Sequence, residues 1–357
     1  MKSELSVGAT IGILGGGQLG RMLALAAARL GFKCHIYDPN NNAPAIEVSA
    51  KATIASYENK EALISFAKDV DVVTYEFENI PTTALDQIET FTEIRPNRKA
   101  LQVSQDRLVE KEFLNSLGLK TAPYIDIKTD SDLKKALQIV GFPAILKTRT
   151  LGYDGKGQFR ISNDAEAAQV MKKTSSSSLI LEGIVDFSKE ISVIGARNVN
   201  GQVTCYDPGE NMHSNGILKN TTVPALVNRN HLTDAVILTA NILNSLDYIG
   251  VLGVELFVSS EGLVVNEIAP RVHNSGHWTQ NGCLIDQFEQ HIRAISGWTL
   301  GDGSRHSDIK MENIIGDAIE EISLISRDPE ISVHLYGKSE TRPGRKMGHT
   351  NKILKKN

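Results

Sequence analysis

The chain of 357 residues carries 38 Lys and Arg against 42 Asp and Glu, a formal net charge of −4, with 41% hydrophobic and 22% charged residues. That length favours two or three domains, and the near-neutral balance excludes general polyanion binding, so nucleic acid is not an expected partner. Cys34, Cys205 and Cys283 are far apart, odd in number and without metal-type spacing, which fits a reducing, cytoplasmic setting better than a disulfide framework. No apolar run reaches spanning length, and the start MKSELSVGATIGILGGG lacks a signal-type apolar region, so neither membrane insertion nor export is expected.

Thr10 to Asp38 reads as strand, glycine turn, helix and strand: TIGILGGG, QLGRMLALAAARLGF, KCHIYD. A helix in KEALISFAKD and a strand in VDVVTYEF continue the alternation, which predicts βαβ units and a parallel sheet. After IRPNRKAL, the stretch SQDRLVEKEFLNSLG predicts one charged helix ending at Gly118. From TAPYIDI to SLILEGIV the order is strand, helix, strand, strand, helix, strand, a small α+β lobe with KTRTLGYDGKGQ between two of its strands, and Ser175 to Ser178 reads as a solvated turn. Asn200-Gly201 predicts a hairpin in EISVIGARNVNGQVTCYDP. A long helix in HLTDAVILTANILNSLD and a second hairpin in VLGVELFVSSEGLVVNEIAP follow, and the tail from Trp298 reads as short segments with a basic end, YGKSETRPGRKMGHTNKI.

Four groups of residues carry chemistry. Gly15-x-Gly17-x-x-Gly20, between a strand and a helix and followed by Asp38, fits a phosphate or dinucleotide turn; the alternative is a turn that serves only helix-sheet packing. In the second hairpin, a three-residue turn Ser260-Glu261-Gly262 would set Glu255 opposite Glu267, and like charges there call for a cation between them unless the pair simply faces solvent. With Asn266 alongside, this is an oxygen donor set suited to Mg²⁺. The glycine loop gathers Gly152, Gly155 and Gly157 beside Lys147, Arg149 and Lys156, but it runs into the strand-like FRI rather than a helix, so a mobile β-hairpin flap over phosphates fits better than a P-loop. Its carboxylate, Asp154, does not suit a plain phosphate loop. Finally, NEIAPRVHNSGHWTQNG crowds Arg271, His273, Asn274 and Ser275 beyond the acidic strand, with a guanidinium fork for phosphate or carboxylate. Zinc spacing and a Gly-x-Ser-x-Gly elbow are both absent, which argues against zinc and serine hydrolases.

In order, GGGQLGRM, YEFENI, LKTRTLGYDGKGQ, NMHSNGIL, NEIAPRVHNSGHWT and RPGRKMGH resemble the 5-(carboxyamino)imidazole ribonucleotide synthase family of the ATP-grasp superfamily, over nearly the whole chain. The resemblance implies an α/β and α+β fold of ATP-grasp architecture. It comprises a Rossmann-like parallel-sheet domain over residues 1–103, an ATP-grasp domain over 104–298 with a mobile lid lobe at about 113–182, and a small β-rich C-terminal region over 299–357. It implies carboxylation of 5-aminoimidazole ribonucleotide by bicarbonate at the expense of ATP, through carboxyphosphate, in purine (IMP) synthesis by a homodimer that uses ATP and Mg²⁺.

Carried onto this sequence, the resemblance assigns Arg107 and Lys147 to ATP phosphates, with Gly152, Tyr153, Asp154, Gly155, Lys156, Gly157 and Gln158 closing over them. Glu182, Gly183, Ile184 and Val185 take the adenine side, Glu190 the ribose, and His213, Asn266 and Glu267 complete the ATP site, with Mg²⁺ on Glu255 and Glu267. Gln18, Leu19, Glu76, Asn274 and Ser275 would hold the ribonucleotide, with Arg345 and Lys346 at its phosphate. Arg271 and His273, with Arg293 as a weaker candidate, would face bicarbonate or carboxyphosphate, and Asp154 would reach the aminoimidazole amine. The alternatives are a formate-dependent glycinamide ribonucleotide transformylase or another acyl-phosphate ligase of the superfamily, an NAD-dependent dehydrogenase built on the first glycine turn, and an inactive nucleotide-binding module.

Overall fold

A computed structural model describes residues 4–152, 156–174 and 178–356. The first unit alternates β1 (Thr10–Leu14), α1 (Gln18–Arg29), β2 (Lys33–Asp38), β3 (Lys51–Ile54), α2 (Lys60–Lys68), β4 (Val72–Tyr75) and α3 (Thr82–Ile88). Its sheet is parallel throughout, in the order β3-β2-β1-β4. The sequence pattern missed β3, because four residues with no fully buried position present neither a clear period nor an apolar run.

The helix expected over SQDRLVEKEFLNSLG is α5 (Arg107–Ser116), and a separate helix before it, α4 (Arg98–Gln105), was not expected. Asp106 divides them with an extended backbone, φ −127° and ψ 115°, and its carboxylate accepts from Leu108 N at 2.9 Å as the cap of α5.

The lid lobe follows as β5 (Tyr124–Ile127), α6 (Asp130–Val140), β6 (Ala144–Thr148), β7 (Gln158–Ile161), α7 (Asp164–Thr174) and β8 (Leu179–Gly183), the order expected. Its antiparallel sheet, β5-β8-β6-β7, encloses a core of its own around Leu133, Leu146, Ile161 and Leu181. The glycine loop spans β6 to β7; Tyr153, Asp154 and Gly155 within it lie outside the described residues.

The largest sheet is built from β9 (Lys189–Arg197), β10 (Val203–Cys205), β11 (Gly209–Ser214), β12 (Ile217–Val223), the helix α8 (Arg229–Ser245), β13 (Gly250–Ser259) and β14 (Gly262–Ala269). After α9 (Thr279–Gly282) and α10 (Gln287–Ser296), β15 (Ser307–Ile315), α11 (Ile322–Ile325), β16 (Ile331–Leu335) and β17 (Lys346–Lys356) extend the same sheet, ordered β14-β13-β9-β11-β12-β15-β17-β16. The tail is therefore not short segments: β15 has 9 residues and β17 has 11, paired along their length. One core joins this sheet to the first unit, with Ile13, Leu23, Ile194, Val251, Phe288, Ile292 and Met311 in one cluster. Each such side chain removed from water contributes about 1.5–3 kcal/mol, which fixes the two units against each other.

Candidate active site

The three sheets meet around a cavity of about 710 Å³. Its floor is the β13/β14 hairpin, where Glu255 pairs directly with Glu267. The three-residue turn expected to produce that register is absent. Ser259 pairs with Gly262, so the loop is only Ser260-Glu261, and Gly262, the first residue after it, has a φ of +110°. Asn266 restores the opposition as an extra residue, since Leu256 pairs with Val265 while Glu255 pairs with Glu267. A bulge of this kind re-aims side chains, and Asn266 and Glu267 both line the cavity.

Burial first, and then the charge of Glu267, push the Glu255 carboxyl up to about 7. Glu110, on α5, is likewise raised to about 8 by burial and then by Glu267; its Oε1 accepts from Ile268 N at 2.7 Å and pins the strand next to Glu267. Arg107 Nη1 stands 3.4 Å from Glu267 Oε2. Burial would lower the Arg107 guanidinium, but Glu267, Glu110 and Glu182 outweigh it and raise it. On the opposite wall, His213 Nδ1 meets Glu190 Oε2 at 2.6 Å; burial opposes the charged imidazole, but the Glu190 bond and charge prevail and raise it. On the lid side Lys147 Nζ donates to Glu182 Oε2 at 2.8 Å, and Gly183, Ile184, Val185 and Gln158 complete that wall. Phe187 and Phe257 stack beside it with ring centroids 4.5 Å apart, a flat apolar surface for a planar group.

The glycine turn differs most from a phosphate site. Glu76, from the end of β4, places its carboxylate at the N-terminus of α1, accepting from Gly17 N at 2.5 Å and Gly20 N at 2.9 Å, while Asp38 Oδ2 accepts from Gly16 N at 2.6 Å. The donors and dipole that would hold a pyrophosphate are already satisfied by two carboxylates of the chain itself. Gly15, with φ +96°, lets the backbone make this approach. Gln18, Leu19 and Glu76 still line the cavity, so the turn faces a ligand through its side chains.

Arg271 also lines the cavity, but Glu78 grips its fork: Nε to Oε2 is 2.5 Å and Nη2 to Oε1 is 3.0 Å. His273 turns Nδ1 to Ser275 Oγ at 2.8 Å and Nε2 toward Glu255 at 3.7 Å. Burial, then Arg271 and Lys346, lower the imidazole to about 3, so it is neutral. Asn274 exchanges amide bonds with Asn313 at 2.9 and 2.7 Å.

Of the residues expected at a site, Gly152, Glu190, His213, Asn266, Asn274 and Lys346 share this cavity with those already described. Ser275 lies behind His273, 1% exposed, and Arg345 Nη1 donates to Glu340 O at 2.8 Å, so neither is in the lining. Lys156 and Gly157 are also outside it, and Arg293 is paired with Glu289 at 2.7 Å on α10. Arg149, expected among the phosphate cations, lines the cavity and is also paired with Asp106, with Nη2 to Oδ2 at 2.5 Å, and with Asp126 at 3.1 Å. Sequence reasoning missed Glu78 and Glu110. Glu78 stands in the YEFENI motif and could have been noticed; Glu110, within a charged helix, carries no signal at all.

Three sheets around an acidic, cation-edged cavity, with Leu151 and Gly152 of the glycine loop in its lining, define an ATP-grasp ligase. Family models match in the same order: a ribonucleotide synthetase preATP-grasp domain over residues 8–105, an ATP-grasp domain over 112–288 and a phosphoribosylaminoimidazole carboxylase C-terminal domain over 310–357. The chain belongs to the N5-carboxyaminoimidazole ribonucleotide synthase family, among the ligases of purine biosynthesis, as the order of its motifs implied. It is 47% identical to the synthase of Brucella melitensis, covering 99% of this chain and 98% of that one, and 41% identical to the synthase of Bacillus subtilis, covering 98% and 92%. Among solved structures, an ADP complex of an N5-carboxyaminoimidazole ribonucleotide synthetase superposes with a TM-score of 0.96 at 39% identity, covering 99% of this chain and 94% of that one. The Aspergillus clavatus enzyme in complex with ADP and 5-aminoimidazole ribonucleotide superposes at 0.91 with 31% identity, covering 98% and 95%.

Proposed function

We propose that the chain joins bicarbonate to the exocyclic amine of 5-aminoimidazole ribonucleotide, with cleavage of ATP to ADP and phosphate. The observation that carries this reading is one cavity lined both by the nucleotide-side residues Lys147, Glu182 and Glu190 and by the substrate-side residues Gln18, Glu76 and Lys346. In the first step a bicarbonate oxygen attacks the γ-phosphorus and ADP leaves, giving carboxyphosphate. In the second the amine nitrogen bonds to the carboxyl carbon, the carbon–oxygen bond to phosphate breaks, and the amine gives up a proton.

For the first step, Lys147 and Arg107 supply positive charge at the phosphates, the Phe187/Phe257 face receives the adenine, and Glu190 with His213 takes the ribose side. Glu255, Glu267 and the Asn266 amide fit Mg²⁺: opposed carboxylates are unfavourable without a cation, and a two-carboxylate set leaves room for phosphate oxygens and water. Bound there, Mg²⁺ would neutralise charge on the transferred group. For the second step, Arg271 and the neutral His273 flank the carboxyphosphate, and Gln18, Leu19, Glu76 and Asn274 hold the ribonucleotide with its phosphate toward Lys346. Asp154, outside the described residues, is assigned to the amine, where it would orient the nucleophile.

Ser275, Arg345, Lys156 and Gly157 stand outside the lining and are given no direct contact in this reading. A cytoplasmic homodimer completes the reading; among the described residues, no helix is long and apolar enough to cross a membrane.

ADP release by the purified protein tests the reaction. Bicarbonate together with aminoimidazole ribonucleotide should stimulate it, whereas stimulation by formate with glycinamide ribonucleotide would assign the chain to the other ligase. Replacing Asp154 by Asn should raise the KM for the ribonucleotide; a rise confined to ATP would remove Asp154 from the amine.

A further inference from the structure

Lys111, on α5, is 2% exposed and stands behind the cavity rather than in its lining. A lysine is almost never buried so deeply without a partner. Its Nζ lies 3.4 Å from Glu182 Oε1, while Lys147 Nζ donates to Glu182 Oε2 at 2.8 Å. Glu182 is 4% exposed and Lys147 6%, so one buried carboxylate stands between two buried ammonium groups. Among the described residues Glu182 Oε1 has no hydrogen-bond partner, so Lys111 faces it as a charge at short range. The other charges in this field are Arg107, one turn earlier on α5, which acts on Glu182, and Glu110, on which Lys111 acts.

Glu182 and Lys147 alone would already balance. A second lysine is surplus while that pair is closed, and burying it is costly. It ceases to be surplus when Lys147 turns from Glu182 into the cavity that both line. Without another cation, Glu182 would then be a bare buried carboxylate, and such a group takes up a proton rather than stay charged.

We propose that Lys111 is the standing counter-ion of Glu182, which lets Lys147 leave for a nucleotide phosphate by exchange of cations and without proton uptake. Lys111 is thus a positioning residue for nucleotide binding. The inference rests on the adenine-nucleotide reading of the cavity and adds to it a reason for a lysine that touches no ligand.

Calorimetric titration of the full chain with Mg-ADP, in two buffers of different ionisation enthalpy, counts the protons exchanged on binding. Wild type is expected to bind ADP with almost none. Lys111→Met should take up a large fraction of a proton at pH 7, bind ADP about tenfold more weakly, and lose further affinity as pH rises. Its KM for the ribonucleotide should stay within about twofold, and Lys111→Arg should restore both ADP affinity and proton balance. If Lys111→Met does not fold, Lys111→Gln, which keeps a donor toward Glu182, gives the same readout. A folded variant that binds ADP with wild-type affinity and no proton uptake overturns the inference, as does equal weakening for both substrates, which would mean general loss of packing. Failure of the wild type to bind ADP defeats the nucleotide reading itself and the inference with it.

Discussion

Glu255 and Glu267 are cross-strand partners only because Asn266 is an extra residue in β14. Like charges in direct opposition cost stability, on the order of 0.2–1 kcal/mol, and burial adds to that cost at Glu255. A site built for a cation should therefore trade stability for activity. Glu255→Gln is expected to raise the melting temperature of the metal-free protein slightly, while ADP release requires at least tenfold more Mg²⁺ for half-saturation. A magnesium titration of turnover, beside thermal melts in chelator, checks both. An unchanged Mg²⁺ requirement would remove this pair as the metal holder.

The Glu76 carboxylate closes the glycine turn that the sequence offered to a dinucleotide. Glu76→Ala leaves the Gly17 and Gly20 amides without their charged acceptor, a loss of about 1.5–3 kcal/mol per such bond in the buried limit. A lower denaturation midpoint and a raised ribonucleotide KM are expected, with the KM for ATP unaffected. The wild type should show no saturable NAD binding by calorimetry.

These two sites show what a sequence can carry. The βαβ order, the lid order and the opposed glutamates are local patterns, legible from period and turn chemistry. The bulge at Asn266 was not legible, because a three-residue turn and a two-residue turn with one inserted residue give the same pairing. Nor was the closure of the glycine turn, since Glu76 is 59 residues from Gly17 in the chain. The motif Gly15-x-Gly17-x-x-Gly20 describes a backbone that can receive an anion, and only the fold reveals that the anion is the protein's own. The ion pairs of Arg149 were not legible for the same reason: its partners, Asp106 and Asp126, come from elements that meet it only in three dimensions.

Glu78 holds Arg271 by both ends of its fork, and it orients that guanidinium beside His273. Burial would raise the Glu78 carboxyl, but Arg271 outweighs it and keeps the carboxyl ionised below its ordinary value. Glu78→Gln keeps the volume and loses the charge, so Arg271 should become free to pair with Glu76 or Glu267, whose charges already act on it. Turnover should fall by about 10- to 100-fold with ATP binding preserved, by analogy with other outer partners that orient reactive groups. Steady-state kinetics with both substrates varied is the check; a pure KM effect on ATP would contradict it.

His291, on α10, links the first unit to the large sheet and is fully buried. Val251 N donates to its Nδ1 at 3.0 Å, so Nε2 carries the proton and donates to Thr74 Oγ1 at 2.8 Å. Burial lowers this imidazole from 6.5 to about 3, so it is neutral when folded and protonates readily once unfolded. Between those values the unfolded chain binds the extra proton. The stability this group contributes is thus complete above pH 6.5 and is lost as pH falls toward 3, at up to about 1.4 kcal/mol per pH unit. His291→Gln is expected to be less stable than wild type at pH 7.5, with the gap narrowing steadily between pH 6.5 and 4.5. Urea denaturation midpoints of both proteins across that range measure the gap directly; a gap independent of pH would mean that His291 is not held neutral by the fold.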